Sequence, residues 1–359
     1  MTSFVFVVAD LYGGGAQRVL LNTAEALRKR GNKVTVCLLR QRVDLDVPKR
    51  LTLVNLRVIN RFTKLFRSRL IERLQAKKIE SYLSEASPDV VISCSCDRIT
   101  RHIRRENVYF WVHINLTGNA EKSKKVVKRY NKIYSGKNII TVSDGVAEDL
   151  TENIGLDKFK VRVISNPIDK DYLNELAGRG SEMPKELPTR YFVYVGRLED
   201  RKRLDWLIEA YHHSAVSSSL LLVGTGDHSE VEKVRHLISY YDLEDKVLLL
   251  GFLRNPYSII KNAQGLVLTS EREGLPTVLI EALMLGTPCL SFDCPSGPKE
   301  ILRKGLDDWL IPLGDISKFA KALRKLEKSE VEIPSESVRR FEPDIVAMQF
   351  ESLSEPQNH

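Results

Sequence analysis

Two glutamates eight residues apart, Glu273 and Glu281, frame the turn Gly274-Leu275-Pro276 and a helix start at Thr277 and Val278. Upstream, residues 265–270 read as a buried parallel strand, and the apolar pattern of residues 278–285 reads as a helix whose first positions suit Pro276 and Thr277. The order is therefore strand, acidic loop, helix. A helix start of this kind offers unpaired backbone N–H groups and a partial positive charge, which suits a diphosphate. Glu273 would stand in the loop beside that site. Glu281, a turn into the helix, could reach back to a ribose, whose two hydroxyls ask for a carboxylate acceptor. Taken alone, the same residues would be a solvated loop glutamate and a helix-surface glutamate.

A second constellation follows the apolar stretch 191–195, where Gly196 and Arg197 close a strand and Lys202 comes five residues later. Arginine offers a planar fork of donors and lysine a mobile point charge, so the pair can neutralise a leaving diphosphate without a metal. Arg201 and Arg203, which flank Lys202, read as a solvated charge cluster on the next helix. A third glycine turn, Gly224-Thr225-Gly226, follows the apolar residues 220–223.

In combination these segments resemble glycosyltransferase family 4, the retaining transferases with the GT-B fold, in its bacterial surface-polysaccharide form. The resemblance extends to Thr141-Val142-Ser143, similar to the family's late strand of the first domain, and to Asn166-Pro167-Ile168-Asp169, similar to its run into the second. It covers nearly the whole chain and is loosest over residues 40–110. It implies that Arg197 and Lys202 clamp the donor diphosphate, that Glu273 contacts the transferred sugar and that Glu281 binds the ribose. It further implies backbone contacts to the donor from Gly14, Gly15, Gly196 and Gly224, and contacts to the base from Leu253 and Arg254. The family places a histidine next to the transferred sugar at the end of a first-domain strand, a position that His113 matches.

These residues need elements to hold them. Residues 4–9 read as a strand and 16–30 as a helix, joined by Tyr12 and the glycines Gly13, Gly14 and Gly15, which let the backbone approach a ligand closely. The spacing is not the dinucleotide Gly-x-Gly-x-x-Gly, and residues 34–39 lead to Arg40 rather than an acidic residue, which disfavours an oxidoreductase. His113 ends the apolar stretch 109–112, at the strand terminus where α/β proteins place chemistry. Asn115 and Asp97 are weaker candidates for acceptor contact, and His212-His213 reads as a helix surface. Strands and helices alternate from residue 4 to about 167 and from 190 to about 326, which gives two parallel-sheet domains. The expected layout is a first, acceptor-binding Rossmann-like domain over 1–170, a linker over 171–189 and a nucleotide-sugar domain over 190–335. By resemblance to GT-B enzymes, a last helix near 340–357 returns to complete the first domain, and the two sheets face a central cleft.

Composition bounds these expectations. The chain has 359 residues, 43% hydrophobic and 28% charged, ordinary for a globular protein of two domains. No apolar run reaches the 18 or so residues that span a bilayer, and Asp10 interrupts the N-terminal strand before it could serve as a signal segment. A cytoplasmic enzyme, peripheral on the inner face of the cytoplasmic membrane, is the expectation. Five scattered cysteines without metal-type spacing read as buried thiols. Residues 1–187 hold 34 Lys and Arg against 21 Asp and Glu, while the remainder holds 21 against 26. The basic excess is densest over 57–73 and 122–132; it suits anionic lipid headgroups, a phosphorylated or lipid-diphosphate acceptor, or plain solvation. Nucleic acid is disfavoured, since no reading module or stacking aromatic pattern accompanies the basic runs.

The reading is a metal-independent hexosyltransferase without cofactor. It moves a hexose or N-acetylhexosamine from a UDP-sugar, with retention, to a saccharide or lipid-linked acceptor in cell-surface glycan synthesis such as lipopolysaccharide or capsule. The choice of UDP rests on residues 291–298, which resemble UDP-sugar users of the family. A UDP-sugar epimerase of the same fold and a non-catalytic partner subunit are the alternatives.

Overall fold

The computed structural model describes residues 1–12, 14–59, 68–118, 124–179 and 187–355. The chain divides into two compact units, Met1–Pro167 with Phe341–His359, and Ile168–Arg340.

Runs of β-branched and aromatic residues, apolar at consecutive positions, make strands that are covered on both faces, as parallel sheets require. Among the described residues, the strands of the first unit are β1 (Ser3–Val8), β2 (Lys33–Leu38), β3 (Thr52–Asn55), β4 (Val90–Cys94), β5 (Val108–Val112), β6 (Asn138–Thr141) and β7 (Val161–Val163), of which the edge strands β3 and β7 are partly exposed. They form one parallel sheet in the order β3-β2-β1-β4-β5-β6-β7, with Phe4 opposite Val34 on one side and Val90 on the other. The second unit holds β8 (Tyr191–Val195), β9 (Ser219–Val223), β10 (Val247–Gly251), β11 (Gly265–Leu268), β12 (Cys289–Asp293) and β13 (Leu310–Pro312), parallel in the order β10-β9-β8-β11-β12-β13. In each sheet the order reverses once, between β1 and β4 and between β8 and β11. Doubly wound sheets bind ligands outside the carboxyl ends of the strands at such a reversal.

The chain returns to its first unit through the helix Pro343–Glu351, which packs on the helix Gly15–Lys29. Glu351 takes a two-pronged hydrogen bond from Arg30, 3.0 Å to each oxygen, and a further one from Asn32 Nδ2 at 2.6 Å. The Arg30 guanidinium holds the Glu351 carboxyl below its ordinary range against the opposing effect of partial burial. Phe350, fully buried, meets Phe6 and Trp111, and the Tyr109 hydroxyl donates to Leu353 O at 3.0 Å.

Residues expected as linker prove partly helical: Lys170–Gly178 is a helix of the second unit, with its Asp169 side chain accepting from Tyr172 N. The run Tyr172-Leu173-Asn174-Glu175-Leu176 sustains that helix, and the Gly and Pro residues beyond it, Gly180 and Pro184, lie outside the described residues. All five cysteines are buried free thiols.

Candidate functional site

The second unit gathers the Gly196–Lys202 segment and the Glu273 loop at the ends of adjacent strands, since β8 pairs with β11. The backbone is laced tightly there. Gly196 N donates to Val223 O at 3.0 Å and Gly224 N to Gly251 O at 2.7 Å. Gly224 has φ 144°, and a Cβ at that position would fall 1.7 Å from Gly196 O, so only glycine lets the β8 and β9 turns close on each other. The buried Tyr194 hydroxyl donates to Arg197 O at 2.8 Å and fixes the turn from which the exposed Arg197 projects. A short 3-10 turn, Asp200–Lys202, then leads through Arg203 in a left-handed conformation into the helix Leu204–Ser214.

The β11 loop is strapped onto that turn. Thr269 Oγ1 donates to Lys202 O and Arg203 O, and Glu271 N donates to Arg201 O at 2.9 Å. The result is a nearly buried ion pair, Lys202 Nζ to Glu273 Oε1 at 2.5 Å, with the side chains 13% and 9% exposed. Burial pushes the Glu273 carboxyl up, but the adjacent Lys202 ammonium outweighs it and holds the carboxyl below its ordinary range, so Glu273 is ionised. Arg201 and Arg203 keep partial exposure and are both paired: Arg201 with Glu199, Arg203 with Asp205 while stacked 3.6 Å over the Trp206 ring.

Beyond Glu273, Gly274, Leu275 and Pro276 are buried and lead into the helix Thr277–Met284, whose first turn holds no acidic residue and no side-chain cap. Ser296 Oγ donates to Glu273 O at 2.8 Å. Gly297, φ 94°, lies directly under the turn: a Cβ there would stand 2.4 Å from Pro276 Cδ and 2.9 Å from Gly274 O. Ser296 and Gly297 are thus supports of the acidic loop that sequence spacing did not assign; the Gly-Pro dipeptide was the available signal. Glu281 is half-buried one helical turn after Thr277, on the same face. Leu253 is half-buried and Arg254 exposed in the loop after β10, which Asn255 ties to Leu176 O at 2.7 Å.

In the first unit Gly14 and Gly15 are exposed at the start of the helix Gly15–Lys29, with no acidic residue in its first turn; Gly13 lies outside the described residues. His113 follows β5 with its ring 4.5 Å from that of Trp111. The residue keeps some exposed surface, yet Nε2 is buried without a hydrogen-bond partner. Burial drives the imidazole down to about 4, so it is neutral at neutral pH. The segment after it is fixed by the buried Asp149, which accepts from Leu116 N at 2.6 Å and Thr117 N at 3.2 Å. That support carries no sequence signal, because Asp149 sits within a helical stretch. The two weaker candidates are engaged in local structure: Asn115 Oδ1 accepts from Gly118 N at 2.7 Å, and the Asp97 carboxylate takes the hydroxyls of Ser93 and Tyr134 at 2.7 and 2.8 Å. His212 and His213 are exposed on their helix.

Two family models match the chain, Glycosyltransferase Family 4 over residues 13–172 and Glycosyl transferases group 1 over residues 182–343. The chain is 28% identical over 274 residues to a lipopolysaccharide 1,6-galactosyltransferase of Escherichia coli strain K12, covering 72% of this chain and 71% of that protein. Among solved structures, it is similar to a lipopolysaccharide outer core galactosyltransferase in its apo form, with TM-score 0.73 and 21% identity over 98% of this chain and 99% of the other. It is also similar to the Anabaena protein HepE in complex with UDP and glucose, with TM-score 0.75 and 16% identity over 99% and 100% of the two chains. With two parallel-sheet units of this order, one matched by each model, the chain belongs to the glycosyltransferases of family 4 and has the GT-B fold.

Proposed function

We propose that this glycosyltransferase moves a hexose or N-acetylhexosamine from a UDP-sugar to a saccharide or lipid-linked acceptor, with retention, in the synthesis of a cell-surface glycan. The observation that carries the reading is the buried Lys202–Glu273 pair at the β8/β11 reversal, beside an uncapped helix start. A lysine and an ionised glutamate desolvated together at a strand terminus are costly for stability and useful for chemistry. The donor's diphosphate would lie against Lys202, Arg197 and the N–H groups of Thr277 and Val278. These cations and dipoles stabilise the charge that grows on the leaving group, an effect of several kcal/mol where donors are preorganised. Glu273 would accept hydrogen bonds from the transferred sugar and Glu281 from the ribose. Leu253 and Arg254 are assigned to the base, and Gly14, Gly15, Gly196 and Gly224 to close backbone approach.

In the reaction the bond from the anomeric carbon to the diphosphate oxygen breaks, and the acceptor oxygen bonds to the same face of that carbon. The acceptor's proton passes to the leaving phosphate oxygen. Neutral His113, at the end of β5, is assigned to the transferred sugar. The positive charge required by the leaving group comes from Lys202 and Arg197, which supports a metal-independent reaction. The galactosyltransferase relative and the UDP-bound structural neighbour support the donor class and the glycan context. None of the helices of the described residues is long and apolar enough to cross a membrane, and the basic excess of residues 1–187 supports peripheral attachment to an anionic surface.

The test is a donor screen. Purified protein is mixed with UDP- and GDP-sugars and a membrane lipid extract, and released nucleoside diphosphate is followed with and without a chelator. Extract-dependent UDP release, insensitive to chelation and lost in Lys202→Ala and Glu281→Ala, is expected, with the product's anomeric configuration read by NMR. Tight UDP binding without release would overturn it in favour of an epimerase or a non-catalytic subunit.

A further inference from the structure

A groove of about 410 Å³ in the first unit is lined by residues of the short helix Asp97–Thr100 and the helix Lys124–Tyr134. Arg98 and Arg101 come from the first side, and Lys125, Lys128, Arg129 and Lys132 from the second. The latter four recur at helical spacing on one face. Among the described residues, none of the four has an ion-pair partner, and the first turn of their helix carries no acidic residue.

The frame around these cations is built. Glu72, 6% exposed, binds Arg98 Nη2 through one carboxylate oxygen and Arg101 Nη2 through the other, both at 2.7 Å. Burial raises its carboxyl, and the two guanidiniums more than reverse that, so Glu72 stays charged and holds both forks in place. Tyr134 donates to Asp97 at 2.8 Å, fastening the last turn of the cationic helix to the first residue of the short one. Glu72 and Asp97 are therefore committed within the frame, and six cationic side chains line the groove, two of them paired with Glu72 and four without an ion-pair partner among the described residues. A stripe of like charges at i, i+3 and i+4 costs helix stability, and a merely solvated face would not need two arginines fixed from behind by a buried glutamate. Planar guanidinium forks set beside mobile ammonium groups are the chemistry that receives phosphate oxygens.

We propose that this groove binds a phosphate ester, with a diphosphate favoured over a monophosphate by the number of cations. The site lies wholly in the first unit; the inference rests on and sharpens the anionic attachment proposed above, is independent of the transfer reading, and its test needs no turnover.

Full-length protein is held in excess UDP, which fills any nucleotide-diphosphate site of the second unit, and titrated with inorganic pyrophosphate by calorimetry. One binding event is expected, weakened at least about tenfold in Lys125→Ala/Lys128→Ala/Lys132→Ala and falling steeply with salt. Lys318→Ala/Lys321→Ala/Lys328→Ala, exposed lysines of the second unit, removes the same charge and should bind as the wild type does. Co-sedimentation with phosphatidylcholine vesicles holding roughly 30 mol% phosphatidylglycerol separates the sources of the phosphate. Loss of vesicle binding in the groove variant assigns a lipid headgroup, and loss of pyrophosphate binding alone assigns a soluble ester. All the lysines changed are exposed, and circular dichroism checks that the fold is kept. A groove variant that matches the wild type in both arms, or a wild type that binds in neither, overturns the proposal.

Discussion

Replacing Lys202 with methionine keeps most of the unbranched side chain and removes the charge that stands 2.5 Å from Glu273. Both groups are nearly buried, so the remaining carboxylate has little water to turn to. Breaking such a pair from one side costs about 3–5 kcal/mol, and the lower end applies here because the loop borders solvent. For a unit the size of Ile168–Arg340, about 3 kcal/mol corresponds to a fall of roughly 6–12 °C in the melting transition. The pH dependence gives the sharper readout. In the wild type the Glu273 carboxyl is held below its ordinary 4.5 by Lys202, so its stabilisation is full above that value and fades as pH falls through the lowered folded-state value. Without Lys202 the desolvation that opposes it dominates, the folded-state value rises above 4.5, and stability is instead lost as pH rises from there towards neutrality. The gap between variant and wild type is therefore widest at pH 7–8 and narrows towards pH 4–5, as measured by calorimetric melting at a series of pH values. Adding Glu273→Gln should recover much of the stability while leaving transfer impaired by roughly two to three orders of magnitude. A Lys202→Met protein as stable as the wild type at pH 7, or a loss that does not vary with pH, would refute the argument.

Gly224→Ala forces a Cβ onto Gly196 O and strains a φ of 144°, so it should destabilise by about 2–3 kcal/mol and weaken UDP binding, read together by melting and calorimetric titration. Phe350→Ala empties the space between Phe6 and Trp111 and should cost about 3–5 kcal/mol by denaturant unfolding, whereas Arg30→Ala, which breaks a partly exposed pair, should cost about 1 kcal/mol or less. His113, with its imidazole lowered to about 4 by burial, should show no titration by NMR between pH 6 and 8; a midpoint near 6.5 would sink the buried-neutral assignment. Because that value is depressed relative to the unfolded chain, the stability it contributes is present above about 6.5 and declines as pH falls towards 4.

Much of the architecture is legible along the chain because it depends on local periodicity. Continuous apolar runs such as residues 4–8, 191–195 and 265–268, short and rich in β-branched and aromatic residues, read as buried parallel strands, and alternation with helical patterns points to a doubly wound class. Glu273, Lys202 and Arg197 are likewise visible because glycine turns at strand ends mark them. The helix Lys170–Gly178 falls where nearby Gly and Pro residues point to a linker, and its one local signal in the sequence is the capping residue Asp169. The pairing of Arg201 with Glu199 and of Arg203 with Asp205, each two residues away, is not legible in the sequence because it depends on the backbone geometry of the turn.

Taken by itself, the sequence determined the fold class, the two-unit organisation, the strand termini that carry the candidate residues and the imbalance of charge between the halves, since each follows from residue type and spacing within one element. Only the tertiary structure decided that Lys202 and Glu273, 71 residues apart, form one buried pair. It alone decided that Gly297 lies beneath the acidic turn, that Asp149 holds the segment after His113, and that Glu72 fixes two arginines over a groove faced by a cationic helix. Those are contacts between elements distant along the chain, and their energy depends on separations of a few ångströms and on exclusion from water, neither of which is set until the sheets assemble.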